Sequence, residues 1–96
     1  MVKKVDITEK LNFDENPKMV IKGVEIEVNA DAETMLKIMG EFSSKSELHA
    51  SLGAFQLIFS DKEQKKIMKL KPSAKDLMTI IEEAMALVIG GEDQGE

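Results

Sequence analysis

The fold is decided by residues 18–28, KMVIKGVEIEV, in which β-branched residues surround a glycine and alternate with glutamates after it. Alternation with a period of two is typical of a strand with one buried face. Lys22 and Gly23 fit a two-residue hairpin turn, because glycine adopts positive φ at little cost. The segment therefore predicts an antiparallel β-hairpin.

The two-residue turn determines the register of this hairpin. It pairs Ile21 with Val24. Two residues further from the turn it pairs Met19 with Ile26, and all four apolar side chains then share one face. Because a two-stranded hairpin is marginally stable alone, we expect helices to cover that face.

Apolar residues at helical spacing follow the hairpin. Asn29 or Asp31 caps a first helix that reaches about Phe42. Its predicted buried face consists of Ala32, Met35, Leu36, Met39 and Phe42. A capping box at residues 44–47, SKSE, starts a second helix. Its predicted apolar stripe consists of Leu48, Leu52, Phe55 and Phe59, with Ile58 beside it.

Two further helices have clear start and stop signals. A second capping box at residues 60–63, SDKE, starts a short third helix that Pro72 stops, because the residue before proline avoids the helical region. Ser73 caps a last helix over residues 74–89, which two glycines at residues 90–91 end.

These elements predict an α+β fold in which about four helices pack on a small N-terminal antiparallel β-hairpin. We expect one compact domain over residues 1–91, because 96 residues leave no room for a second core. Within residues 1–16 four odd-numbered apolar residues favour a third strand, with a swapped arm or a flexible lead as the alternatives: Val5, Ile7, Leu11 and Phe13. Residues 92–96 are expected to be a disordered acidic tail.

The composition excludes several kinds of chemistry. All 13 basic residues are lysines, the net charge is −5, and cysteine, tryptophan and tyrosine are absent. Without cysteine there is no thiolate nucleophile and no cysteine metal site. The negative charge and the lack of arginine argue against nucleic-acid binding. The longest apolar run, residues 84–89, is too short to span a membrane. We expect a soluble, cytoplasmic protein without cofactor or metal.

Catalytic signatures are also missing from the sequence. The single histidine, His49, has no recognisable serine and acid partners, and a partly exposed histidine without a role is the simplest interpretation. The glycines do not follow the spacing of a phosphate-binding loop. We therefore expect a protein that is not an enzyme.

The last helix has a wide apolar surface. One stripe, sufficient to dock the helix on a core, consists of Leu77, Ile81, Ala84 and Val88. A second stripe consists of Met78, Met85 and Ile89. It lies about 100° further round the helix axis than the first, because successive residues are rotated by about that angle. We interpret the second stripe as a surface for self-association or for a partner, since methionine adapts to varied apolar surfaces. The alternative is a central helix that is packed on two sides.

Six lysines cluster between residues 62 and 75. Among them, Lys62, Lys66 and Lys69 fall on one helical face. This face is either a basic patch for an acidic partner or an ordinary solvated surface.

The order of these elements resembles that of small tail assembly chaperones of long-tailed (siphovirus-like) phages and prophages of Gram-positive bacteria. The most telling part is residues 59–91, with a Phe-Ser-Asp-Lys start, a lysine-rich short helix, a Lys-Leu-Lys break and a final helix before glycines. The resemblance also covers two earlier segments, MVIKGVEIEVN at residues 19–29 and DAETMLKIMGEF at residues 31–42.

The resemblance implies that the protein binds the phage tape measure protein and keeps it soluble while tail tube subunits polymerise around it. The tail tube protein is a further candidate partner, and the chaperone would be absent from the mature virion. Two other hypotheses are a structural tail or connector component that remains in the virion and a small regulatory adaptor.

Overall fold

A computed structural model describes residues 2–11 and 15–90 of the chain. Strand β1 (Lys18–Ile21) and strand β2 (Val24–Glu27) form an antiparallel pair. The predicted register is confirmed, with Ile21 opposite Val24 and Met19 opposite Ile26. Lys22 and Gly23 at the turn have φ values of 52° and 79°. Positive φ at both central residues is the geometry whose twist matches that of the flanking strands.

Four helices follow the hairpin, as predicted, and the fold is α+β. They are α1 (Ala32–Ser44), α2 (Glu47–Ile58), α3 (Asp61–Lys69) and α4 (Ala74–Met85). After α4 the chain continues in a π-helical turn, Ala86–Gly90.

The helix caps explain where α2, α3 and α4 begin. The Ser60 and Ser73 hydroxyls accept the backbone N–H groups three residues later, at 3.4 and 3.0 Å, so both predicted starts are confirmed. Helix α2 begins later than predicted. Its cap is Ser46, whose hydroxyl accepts the His49 N–H at 3.3 Å, because Ser44 is still part of α1.

One apolar core joins the hairpin to the helices. Its fully buried large side chains are Phe59, Ile26, Ile38, Ile58, Ile67 and Val28. Ring centroids of Phe55 and Phe59 lie 5.4 Å apart in a tilted arrangement. The hairpin face defined by Met19 and Ile26 packs on this core, as the need to cover it predicted.

The prediction for the buried face of α1 is wrong in part. Ile38 and Thr34 are buried and Met35 packs against the core, whereas Leu36, Met39 and Phe42 are exposed. Thr34 can be buried because its hydroxyl donates to the Asp31 carboxylate at 2.6 Å. A polar residue with a local partner thus occupies the core face, and three larger apolar residues of the predicted stripe lie in solvent.

The third strand suggested for residues 1–16 is not formed among the described residues. Residues 2–11 are exposed and contain a single 3₁₀ turn, Thr8–Lys10. The Asp6 carboxylate accepts the N–H and the hydroxyl of Thr8, which favours a turn over a strand here. Phe13 and the predicted acidic tail lie outside the described residues.

Candidate protein-binding site

An apolar groove of about 190 Å³ lies where α2, α3 and α4 meet. It is lined by Leu48, Ser51, Leu52, Phe55, Met68, Leu77, Met78 and Ile81. Of these described lining residues, only Ser51 is polar. Since an apolar cavity of about 150 Å³ can hold a benzene ring, this groove can take at least one large apolar side chain.

The walls of the groove are exposed and its floor is buried. Phe55 and Ile81 on the floor belong to the core. The exposed fractions of the wall side chains are 73% for Leu48, 55% for Leu52, 45% for Met68 and 36% for Met78. Large apolar side chains that converge on one concave site mark a site of interaction more often than scattered ones do.

The exposure of Leu48 and Leu52 corrects the predicted stripe of α2. At their level the helix turns its small buried residues, Ala50 and Ala54, inward. Only the C-terminal half of the stripe, including Phe55, enters the core. The predicted stripe is therefore part core, at Phe55 and Phe59, and part groove wall, at Leu48 and Leu52.

The second stripe of α4 divides between surface and core. Met78 lines the groove. Met85 is half-buried and packs against the core. Ile89 is exposed in the final turn, away from the groove lining. The structure thus brings only Met78 to the site, and a role for Met85 or Ile89 in binding stays a prediction.

The three predicted lysines of α3 have different surroundings. Lys66 donates to the Glu25 carbonyl oxygen at 3.0 Å and pairs with the Glu63 carboxylate at 3.2 Å. Lys62 and Lys69 are exposed. Lys66 therefore ties α3 to the hairpin, while the other two lysines remain available for a partner.

Glu63 is a buried acidic residue with two partners. Its Oε1 accepts the Glu27 N–H at 3.1 Å and faces Lys66. Burial raises the pKa of Glu63, but the Glu27 N–H and Lys66 outweigh this effect and hold the pKa below the usual 4.5 of a glutamate. The carboxylate is therefore charged at neutral pH and holds α3 against β2.

The groove adjoins the most basic segment of the chain. Residues 64–75 contain five lysines and no acidic residue. This segment comprises the second half of α3, the connection to α4 and the start of α4. We refer to it as the basic corner. It supplies one groove wall through Met68, and Met78 lies three residues beyond its end on α4, after Asp76 and Leu77.

A second, more polar cleft lies between α1 and α2 beside His49. Its lining includes Glu41 and Lys45, whose side chains form an ion pair at 2.9 Å. The Ser46 hydroxyl lies 3.1 Å from His49 Nδ1. The same hydroxyl accepts the His49 backbone N–H at 3.3 Å, so these contacts make both residues part of the α2 cap.

Within residues 2–11 and 15–90 there is no group of three histidine or acidic side chains that could hold a metal ion. In the same ranges no helix is both long and apolar enough to cross a membrane.

The fold and the groove together define a small α+β protein with an exposed apolar groove. The chain matches no known protein-family model, no curated protein sequence and no solved structure.

Proposed function

We propose that this protein is a non-enzymatic phage tail assembly chaperone that binds the tape measure protein and keeps it soluble during tail assembly. The observation that supports the proposal best is the apolar groove with its exposed walls at Leu48, Leu52, Met68 and Met78. The resemblance of the sequence to such chaperones points to the same role.

The chemistry of the groove suits a helical client. An amphipathic helix binds such a groove by inserting apolar side chains that are spaced three or four residues apart. Met68 and Met78 give the walls adaptability, because methionine is unbranched and flexible. The net charge of −5 helps to keep the loaded complex soluble.

Co-expression with the tape measure protein tests this proposal. In the variants Leu52→Asp and Met78→Asp, a charge on the groove wall should reduce soluble, co-purifying tape measure protein by at least about tenfold, since burying an unpaired charge is costly. The matched control is Leu36→Asp on α1, which also places an aspartate at an exposed leucine but lies outside the groove. Met85 is unsuitable for this test, because it packs on the core.

Circular dichroism and urea unfolding establish that the groove variants remain folded. Loss of the client in Leu36→Asp but not in the groove variants would contradict the assignment of the groove. No loss in any folded variant would contradict client binding through either surface.

The same proposal places the protein in the cytoplasm of the bacterial host and not in the mature virion. Mass spectrometry of purified virions checks this point. A stoichiometric amount of the protein in the particle would instead identify a structural tail or connector component.

Self-association is part of the proposal, since exposed apolar walls can also bury against a second copy. Analytical ultracentrifugation of the wild type and Met78→Asp should show a smaller assembly for the variant. An unchanged mass would place the self-association surface elsewhere, with Ile89 as the next residue to change.

A further inference from the structure

We infer that the groove binds an amphipathic helix with carboxylate side chains along one flank, and that these carboxylates face the basic corner. The inference rests on the proposed function insofar as both use the groove as the client site. It adds the chemistry and the orientation of the client.

The first support is the unpaired positive charge of the basic corner. Four lysines pair with glutamates: Lys18 with Glu25, Lys37 with Glu33, Lys45 with Glu41, and Lys66 with Glu63. Among the described residues, the other four lysines of the basic corner form no ion pair: Lys65, Lys69, Lys71 and Lys75. An acidic chain thus leaves unneutralised positive charge beside this apolar groove.

The second support is the spacing of these lysines relative to the groove. Lys65 precedes Met68 by three residues on α3, and Lys75 precedes Met78 by three residues on α4. Residues three apart on a helix lie on the same face. Each lysine therefore lies one helical turn before a wall methionine. Glu82, one turn after Met78, is the acidic residue among the neighbours of these two methionines.

The opposite wall has a different charge character. Gln56 and His49 lie within one turn of Leu52 on α2. The groove is therefore basic along the α3–α4 side and nearly neutral along the α2 side. Complementary charges across an interface determine orientation and discriminate between partners. A bound helix with acidic side chains on one flank is therefore expected to adopt the orientation that places this flank at the basic corner.

Three synthetic helical peptides test the inference. They share one apolar face of leucines at helical spacing and differ on one flank, which carries glutamate, glutamine or lysine. Fluorescence anisotropy at low ionic strength should rank the affinities in that order, with the glutamate peptide about tenfold tighter than the glutamine peptide, as three exposed ion pairs allow. The preference should shrink as salt is added, because the charges are exposed.

Lysine variants of the protein locate the preference. The triple variant Lys65→Gln, Lys69→Gln, Lys75→Gln should lose most of the preference for glutamate and keep its affinity for the glutamine peptide. The matched control is Lys3→Gln, Lys4→Gln, Lys10→Gln, which removes the same charge from the exposed N-terminal segment. An equal loss in the control would overturn the inference, because the effect would then be one of net charge.

Failure of the inference and failure of the proposed function are distinguishable. Equal affinity for all three peptides, or no binding of any, overturns the inference. If tape measure protein still co-purifies with the wild type and is lost in Leu52→Asp, the proposed function stands without it.

Discussion

The two faces of helix α3 show how the same residue types serve different purposes in one nine-residue helix. One face, with Glu63, Lys66 and Ile67, closes over the hairpin. The other face, with Met68 and Lys65, borders the groove or lies in solvent. Each face contains lysine and one large apolar residue. What differs is whether another part of the chain packs against it, so composition alone does not separate structural from interacting residues.

The closed face also protects a sheet edge. Beyond the hairpin turn, the Glu27 N–H and the Glu25 carbonyl point away from β1, where an added strand could pair with them. Glu63 accepts the first and Lys66 donates to the second. The outer edge of β2 is therefore covered by α3, while the apolar groove lies on the other side of that helix.

The largest expected effect comes from truncating the closed face. Ile67→Ala, at a fully buried position, should lower the free energy of unfolding by about 2–5 kcal/mol. Met68→Ala, on the open face, should change it by only about 0.5 kcal/mol. Urea unfolding of both variants measures the difference. Similar losses would mean that the two faces are equally packed.

An intermediate effect is expected at the buried carboxylate. Glu63→Gln keeps an acceptor for the Glu27 N–H but loses the charge opposite Lys66. We expect the free energy of unfolding to fall by about 1–2 kcal/mol at neutral pH. The control is Glu33→Gln, whose carboxylate belongs to an exposed ion pair and should contribute far less.

The same residue predicts a pH dependence. The pKa of Glu63 is lowered in the folded protein, so the unfolded chain binds more protons at acidic pH. The stabilisation is complete above the usual pKa of 4.5 and is lost as the pH falls through the lowered value. Urea midpoints measured across this acidic range should fall more steeply for the wild type than for Glu63→Gln. Parallel curves would contradict a role of this ionisation in stability.

The smallest expected effects concern two lysines of α3, one of which should affect stability and the other peptide binding. Lys66→Gln should lower stability by about 0.5–1 kcal/mol and leave peptide binding unchanged, because its partners are Glu63 and the Glu25 carbonyl. Lys69→Gln should leave the free energy of unfolding within about 0.5 kcal/mol of the wild type. It should lower the affinity for the glutamate peptide. Equal weakening of peptide binding in both variants would contradict the assignment of Lys66 to the closed face and Lys69 to the binding site.

Much of the fold could be predicted because local rules decide it. The turn at Gly23 imposes the hairpin register, and the hydroxyls of Ser60 and Ser73 mark two helix starts. The stripe of α4 that includes Ile81 and Ala84 is buried as expected. For the turn and the two helix starts, the signal and the structure lie within a few residues of each other, so no knowledge of distant contacts was needed.

The candidate site was less predictable because it depends on which helix faces are left uncovered. Periodicity identified the stripe with Leu48 and Leu52, yet spacing cannot tell a covered stripe from an open one. Met68, in a lysine-rich helix, gave no distinctive signal. Of the residues predicted on α4, Met78 reached the groove and Met85 packed on the core.

The sequence by itself determined the elements, their order, the hairpin register and the absence of arginine and cysteine chemistry, because these follow from local spacing and composition. Only the tertiary structure decided that Thr34 would be buried while Leu36 is exposed, that Lys66 would bind the hairpin, and that three helices would leave an apolar groove between them. The physical reason is that burial belongs to pairs of surfaces. A stripe on one helix is core or binding site according to what packs against it.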